Sequence, residues 1–355
     1  MPLVQHEQLR EIATQLFAAA GCGGDDARTV ADHLVDSSLF GHDSHGAIRI
    51  YEYVDALADG VFDSQGVPAV VWDRPCTALV DGGGAMGPIG GSFATRLAID
   101  KANQQGLAAV TLRNTGHVGR VGAYPLMIAE AGLIGVVYCN AGRLGRQIAP
   151  FGGLDPLMST NPIAFASPRR EHRPIMVDMA TSATAEGKIR VARNRQETVP
   201  PGWLIDRDGN PTTDPLDYLT RGGAMLPLGG AAAHKGYCLS ILVELLGGAL
   251  SGQGVSRGEK IMTSNGVLIN VFAIEHFTDL ESYYDEVETL VDYIHTSRID
   301  PARGEILMPG EPEFHCEAQR RRDGIDLDDM TWSHICQAGD RLGVDTKNWQ
   351  AVAAD

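Results

Sequence analysis

The sequence predicts an α/β fold with an alternating strand and helix core flanked by helical segments. Three observations predict it. Between residues 76 and 276, short apolar runs of strand length alternate with helical stretches. The first seventy residues carry apolar side chains at helical spacing, and the C-terminal part returns to that spacing. The chain of 355 residues, 44% hydrophobic and 21% charged, has the size and balance to bury a large core.

Taken in order, residues 5–20 place Leu9, Ile12, Ala13, Leu16, Phe17 and Ala20 on one helical face. A second helix starts near Asp25-Asp26 and presents Ala27, Val30, Ala31, Leu34, Val35 and Leu39. A third carries Ile48, Tyr51, Val54 and Leu57. A Pro-punctuated stretch, 68–75, leads into β-type runs at 78–80, 107–112, 134–139, 163–167 and 175–178. Helices are expected between them at 92–105 and 124–131. Residues 193–223, rich in Pro, Gly, Asp and Thr, read as an excursion loop. An amphipathic helix over 236–250, a strand over 268–274, and helices over 282–296 and around 332–342 complete the chain. No internal repeat or low-complexity tract interrupts it.

Charge narrows the partners. With 29 basic against 45 acidic side chains the formal net charge is −16, which argues against nucleic acid or an anionic membrane as the main partner. An anionic ligand would need a locally basic pocket. The six cysteines (Cys22, Cys76, Cys139, Cys238, Cys316, Cys336) form no CxxC pair, so neither a disulfide framework nor a cysteine zinc site is indicated. The N-terminus has no basic and apolar leader pattern, and no apolar run reaches membrane-span length. A soluble, cytoplasmic protein is the expectation.

The densest chemistry lies in Gly41-His42-Asp43-Ser44-His45-Gly46-Ala47-Ile48-Arg49, at a helix-helix junction. A helix terminus offers free backbone donors to an anion, Ser44 and His45 can share a proton with a reacting oxygen, and Arg49 can grip a carboxylate bidentately. The simpler alternative is a capped helix start with a solvated arginine. Gly82-x-Gly84-x-x-Gly87 follows a short strand and precedes a helix, as a dinucleotide fingerprint would. The glycine run continues through Gly90 and Gly91, however, and Arg113-Asn114 replaces the acid expected after the next strand. A close-packing turn is the favoured reading. Further polar clusters fall just beyond strands, where α/β proteins place ligands. They are Asn114 to Arg120, Ser159-Thr160-Asn161-Pro162, Asp178-Met179-Ala180-Thr181-Ser182 with Gly187-Lys188, His234-Lys235-Gly236, and Pro309-Gly310-Glu311.

These motifs, with Trp203, Thr212-Thr213-Asp214-Pro215 and Leu226-Pro227-Leu228-Gly229-Gly230, resemble in one register, from about residue 5 to 345, the type 2 malate/L-lactate dehydrogenase family. The resemblance implies a malate/L-sulfolactate dehydrogenase-like, non-Rossmann fold with a mixed sheet core. It implies a helical domain formed by residues 1–75 packing with 277–355, and a central NAD(P)-binding α/β region over 76–276. It further implies an NAD- or NADP-dependent oxidoreductase interconverting a 2-hydroxy acid and a 2-oxo acid, in a homodimer. Carried over position by position, Ser44, His45, His117 and Lys188 would be catalytic, and Arg49 and Thr160 would hold the substrate. His117, Val118, Gly119, Arg120, Val121, Asp178, Met179, Ala180, Thr181, Ser182, His234, Lys235, Asn265, Pro309, Gly310 and Glu311 would line the cofactor. No metal is implied.

Lys188 stands where the family's cyclic imino acid reductases carry an aspartate, so it favours a C=O over a C=N substrate; an NADPH-dependent imine reductase is the alternative. Ser159 replaces a common glycine before Thr160 and is expected to narrow the pocket, while Ile50 after Arg49 hints at a less charged distal pocket. Arg120, Arg143 and Arg146 are the candidates to meet a 2′-phosphate. A metal-dependent hydrolase built on His42-x-x-His45 is the remaining rival, and it lacks a local third ligand.

Overall fold

The computed structural model describes residues 2–259, 264–346, 349 and 352–353. A short strand β1 (Pro2–Val4) leads into helices α1 (His6–Ala19), α2 (Gly24–Leu39) and α3 (Ile48–Ala58). The apolar stripes read from the sequence meet face to face. Leu9, Ile12, Leu16 and Phe17 of α1 and Val30, Leu34 and Leu39 of α2 are fully buried in one cluster. Asp25 and Asp26 occupy the first turn of α2, where negative charge complements the helix dipole.

The central region runs β2 (Ala69–Asp73), β3 (Thr77–Asp81), α4 (Gly87–Gln105), β4 (Leu107–Thr115), α5 (Ala123–Glu130), β5 (Ile134–Asn140), β6 (Ile163–Ser167) and β7 (Ile175–Met179). Strand β2 falls in the Pro-punctuated stretch that carries no strand pattern; it is an edge strand exposed on both faces, so no burial alternation marked it. The excursion at 193–223 is not a bare loop. It follows α6 (Glu186–Asn194) and folds as β8 (Leu204–Ile205), β9 (Pro211–Thr212), α7 (Pro215–Leu219) and β10 (Ala224–Met225), a small antiparallel sheet in the order β10-β8-β9. Leu204 and Met225 pack there with Ile189 of α6. Helix α8 (Ala233–Val243) continues as a π-helical turn through Ala249, ahead of β11 (Asn265–Phe272).

The main sheet has the order β2-β3-β4-β11-β5-β6-β7, and every adjacent pair is antiparallel except β3 with β4. This is a mixed sheet; among the described residues it has one β-α-β crossover, β3-α4-β4, and no doubly wound order. Its pairing brings the ends of β4, β5 and β7 and the starts of β6 and β11 to one edge. Thr115 pairs with Asn265, Asn140 with Gly266, and Met179 with Ile163. Helices α4 and α5 cover one face through Ala94, Ala98, Tyr124 and Ile128.

The C-terminal part adds α9 (Leu280–His295), α10 (Glu311–Asp323), β12 (Ile325–Asp326), α11 (Asp329–Leu342) and β13 (Val352–Ala353). Ile325, Ile335 and Ala338 join the same core as α1 and α2, and a three-stranded sheet, β12-β1-β13, ties both ends of the chain together. Helix α9 sits elsewhere, held to the segment after β6 by Tyr283 on Ser167 and by the Arg169–Glu288 pair at 2.7 Å. Ile50 is fully buried in the N-terminal core, so it lines no pocket, contrary to the hint read from its position. Its place on the inner stripe of α3 decides that. No described helix is long and apolar enough to cross a membrane.

Candidate active site

The junction of α2 and α3 is built to hold a polar loop rigidly. The Ala47 N–H donates to Ser38 Oγ (2.9 Å), and a Cβ on Gly46 would collide with that same hydroxyl. Only glycine allows the loop to fold back so closely. Between them Asp43–His45 forms a 3-10 turn that sends successive side chains in different directions. His42 turns to Glu313 (3.7 Å), Asp43 to Arg320, and Ser44 Oγ lies 2.9 Å from His45 Nδ1. His42 and His45 therefore do not converge, and among the described residues no group of three His, Cys, Asp or Glu side chains could hold a metal.

His45 stacks on His117, their ring centroids 5.4 Å apart and the planes at 21°. Residues 44, 45 and 117, read from two distant motifs, thus form one constellation. Arg49 stands over it from the first turn of α3. Its Nε donates to the Ser44 carbonyl (2.9 Å) and Nη1 to Glu52 (2.5 Å). One N–H of Nη1 and both of Nη2 remain, enough for an end-on bidentate carboxylate.

The segment that carries His117 is clamped by five side chains. Tyr53 Oη lies 2.7 Å from His117 Nδ1 and 3.0 Å from the His117 carbonyl. Tyr124 donates to the Val118 carbonyl (2.5 Å), the Val118 N–H donates to Asn265 Oδ1 (2.8 Å), and the Arg120 N–H donates to His33 Nε2 (2.9 Å). Asp178 accepts the Gly122 N–H at 2.9 Å. Tyr53 has one proton for two contacts. Both are satisfied when the phenol donates to the carbonyl and Nδ1–H donates to the phenol, which leaves the lone pair of His117 on Nε2. The glycine-rich turn explains itself here. A Cβ on Gly87 would stand 2.1 Å from the His117 carbonyl oxygen, and one on Gly91 2.4 Å from the Tyr124 ring. The turn is a seat for this segment, as its sequence context suggested.

Electrostatics keep the imidazoles neutral. Burial, then Arg49 and neighbouring side chains, hold His45 and His117 below the ordinary histidine range. His33, buried behind them beside Arg120, is pushed down to about 3. Burial raises the Tyr53 phenol, which stays protonated.

Of the remaining candidates, the 160 and 179–182 segments meet at the sheet edge, while 309–311 turns against Met176 near the start of β7. Thr181 donates through its N–H and its hydroxyl to the Thr160 carbonyl (2.9 and 3.1 Å), and the Leu228 N–H reaches the Thr181 carbonyl (2.9 Å). Met179 and Ala180 are partly accessible there, while Ser182 is buried with its hydroxyl on the Thr184 carbonyl. The Pro309 carbonyl accepts the Met176 N–H (3.0 Å), Gly310 takes a left-handed turn against Met176, and Glu311 caps that turn through the Met308 N–H (2.8 Å). Lys188 is exposed, next to Gly187, where a Cβ would stand 2.9 Å from Ser44 Cβ. His234 and Lys235 are exposed at the start of α8, His234 against Phe151. Gly119 and Val121 are buried within the clamped segment.

Arg120 is 3% exposed, with Phe40 under its guanidinium (4.4 Å) and Asp178 at 3.9 Å. A 2′-phosphate would not reach it; Arg143 and Arg146 are exposed. Ser159 Oγ, Asn161 Oδ1 and Thr184 Oγ1 are buried without partners around the 160 and 181 segments. Unsatisfied buried polar atoms are costly and rare, so this cluster fits a polar ligand such as a dinucleotide along the edge. Sequence reasoning passed over Tyr53, His33 and Glu52. Tyr53 lies four residues after Arg49, on the same helical face, and His33 interrupts the apolar stripe of α2; those were the available signals.

Comparison with known proteins gives the family. The malate/L-lactate dehydrogenase family profile matches residues 4–336. Malate dehydrogenase of Pyrococcus horikoshii is 35% identical over 350 residues, 96% of each chain. The solved structure of a putative malate/lactate dehydrogenase from E. coli superposes with a TM-score of 0.90 at 33% identity, covering 97% of this chain and 96% of that one. A delta1-piperideine-2-carboxylate reductase from Pseudomonas syringae superposes with a TM-score of 0.81 at 29% identity, covering 95% and 100%. The fold, the motifs and these relatives together show that the chain belongs to the malate/L-lactate dehydrogenase family and is an oxidoreductase of hydroxy acids.

Proposed function

We propose that this chain interconverts an open-chain 2-hydroxy acid and its 2-oxo acid, using NAD or NADP, by histidine acid/base catalysis. The observation that carries this reading is the stacked His45–His117 pair, with the Ser44 hydroxyl on His45 Nδ1 and the Arg49 guanidinium on the Ser44 carbonyl. A bound nicotinamide supplies or accepts the hydride. The segments at 159–161, 179–184 and 309–311 are the ones that would hold that cofactor. Arg49 fixes the carboxylate of the acid, so that the neighbouring carbon and its oxygen face the imidazoles. His117 Nε2, with its free lone pair, takes the hydroxyl proton in oxidation and returns it in reduction. His45, braced by Ser44, shares the developing charge and is the rival acid/base group. Lys188, which follows the Gly187 that packs on Ser44, supports a carbonyl substrate, whose alkoxide a cation stabilises.

The test is the absorbance of reduced nicotinamide with purified protein, NADH and NADPH separately, against pyruvate, oxaloacetate, 2-oxoglutarate, phenylpyruvate and a cyclic imino acid. Turnover of an open-chain 2-oxo acid is expected and fixes the cofactor. Turnover of the cyclic imine alone would overturn the substrate reading in favour of the imine reductase.

A further inference from the structure

Helix α10 begins at the Pro309-Gly310-Glu311 turn and ends beneath the catalytic loop, and along its length it makes a series of contacts to that loop. Glu313 faces His42 (3.7 Å). Cys316 packs under Gly41, so that a Cβ there would meet its Sγ at 3.1 Å. Arg320 forms the third and strongest contact. Nη2 donates to Asp43 Oδ2 (3.0 Å), while Nη1 is shared between Asp43 Oδ1 and the Ser38 carbonyl. Ser38 is also the residue whose hydroxyl receives the Ala47 N–H. One guanidinium therefore grips both the start of the loop and the residue immediately before Ser44. The Arg320 side chain is 20% exposed, so this fork is partly shielded from water. Among the described residues the Asp43 carboxylate has no other hydrogen-bond partner.

We infer that Arg320 is a positioning residue for catalysis: through Asp43 it fixes the 3-10 turn that aims Ser44 and His45 at His117. It touches no reacting atom. A fork of this kind constrains direction as well as distance, and a turn of three residues leaves little slack between the anchored carboxylate and the two side chains that follow. Lysine at this place would keep the charge and lose the second bond. The inference rests on the functional reading of Ser44 and His45 given above.

The experiment compares wild type, Arg320→Met, Arg320→Lys, Asp43→Asn and the double variant Asp43→Asn/Arg320→Met by two readouts. One is kcat and KM for the preferred 2-oxo acid; the other is hydrogen–deuterium exchange of the amides at 42–47, which needs no activity. Arg320→Met and Asp43→Asn should each lower kcat about tenfold, the loss of one charge-assisted contact in the geometry of the transition state. Exchange at 42–47 should quicken severalfold while that at 117–121 stays as in wild type. Arg320→Lys should recover part of both. The double variant should be no worse than Arg320→Met, which already removes the Asp43 contact along with the one to Ser38. Single variants with wild-type kcat and wild-type exchange, or a double variant whose loss equals the product of the singles, would overturn the inference. If Arg320→Met fails to fold, Asp43→Asn breaks the same pair from a more exposed side chain. If wild type turns over no 2-oxo acid, the functional reading fails, and the exchange data alone decide whether Arg320 holds the loop.

Discussion

At the scale of single residues, the proposed site holds two imidazoles whose state is set by their surroundings. His117 and His45 are held below the ordinary range by burial and by Arg49, so at neutral pH the free protein carries the base form of the pair. Oxidation needs that base form. Its kcat/KM should be flat above about pH 6.5, the unperturbed histidine value, and fall only on the acid side. Reduction needs a proton on the pair, so its kcat/KM should rise steadily as pH drops from 8 to 6; a reductive profile that is flat over that range would remove these histidines as the proton source. Tyr53 sets which nitrogen of His117 is free. Tyr53→Phe removes both phenol hydrogen bonds, of which the one to Nδ1, worth about 1 kcal/mol, orients the ring, and kcat/KM should drop roughly five- to tenfold with the nucleotide dissociation constant unchanged. Unaltered kcat/KM would mean that the phenol does not orient the ring.

His33 makes a separate prediction about stability. Its pKa is lowered in the folded protein, so between about pH 3 and the unfolded value near 6.5 the unfolded chain binds the extra proton. That contribution to stability is complete above pH 6.5 and is lost as pH falls through the window, at up to about 1.4 kcal/mol per pH unit. His33→Gln keeps an acceptor for the Arg120 N–H and removes the titration. Urea unfolding at pH 6 and pH 5 should show a shallower acid loss in the variant, and an equal slope would contradict the account.

At the scale of elements, legibility followed burial. The stripes of α1, α2 and α3 were plain in the sequence because each helix has one wet and one dry face. Strands β4 to β7 were legible because they are apolar runs between turn residues. Strand β2 has no buried face, and α10, with Pro312 in its first turn and a mostly polar surface, showed no periodicity to find. The glycine turn before α4 packs closely, as its sequence context suggests, and its physical reason is visible in the approach of Gly87 to His117. Gly87→Ala should therefore collapse activity and lower Tm by several degrees, whereas Gly24→Ala, where a Cβ meets nothing within 4 Å, should leave both unchanged. A Gly87→Ala protein with normal Tm and impaired nucleotide binding alone would restore the cradle reading.

At the scale of the whole molecule, the antiparallel order of the sheet is what assembles the site. Motifs at 114–120, 159–162 and 178–182 lie far apart in sequence, and they meet because β4, β5, β6, β7 and β11 end or begin at the same edge. Strand order is a non-local property that hydrophobic periodicity cannot encode, so the meeting of those motifs could be reached from the sequence only through resemblance. The loop at 41–49 comes from the helical part and closes that edge. We propose that this closed edge carries hydride and proton transfer to an open-chain 2-oxo acid. The most direct measurement is deuterium transfer from reduced nicotinamide labelled at C4, with the product read by NMR. The account predicts label at C2 of a 2-hydroxy acid with wild type and its loss in His117→Ala; label delivered only to a cyclic imine, or to no acid at all, would contradict it.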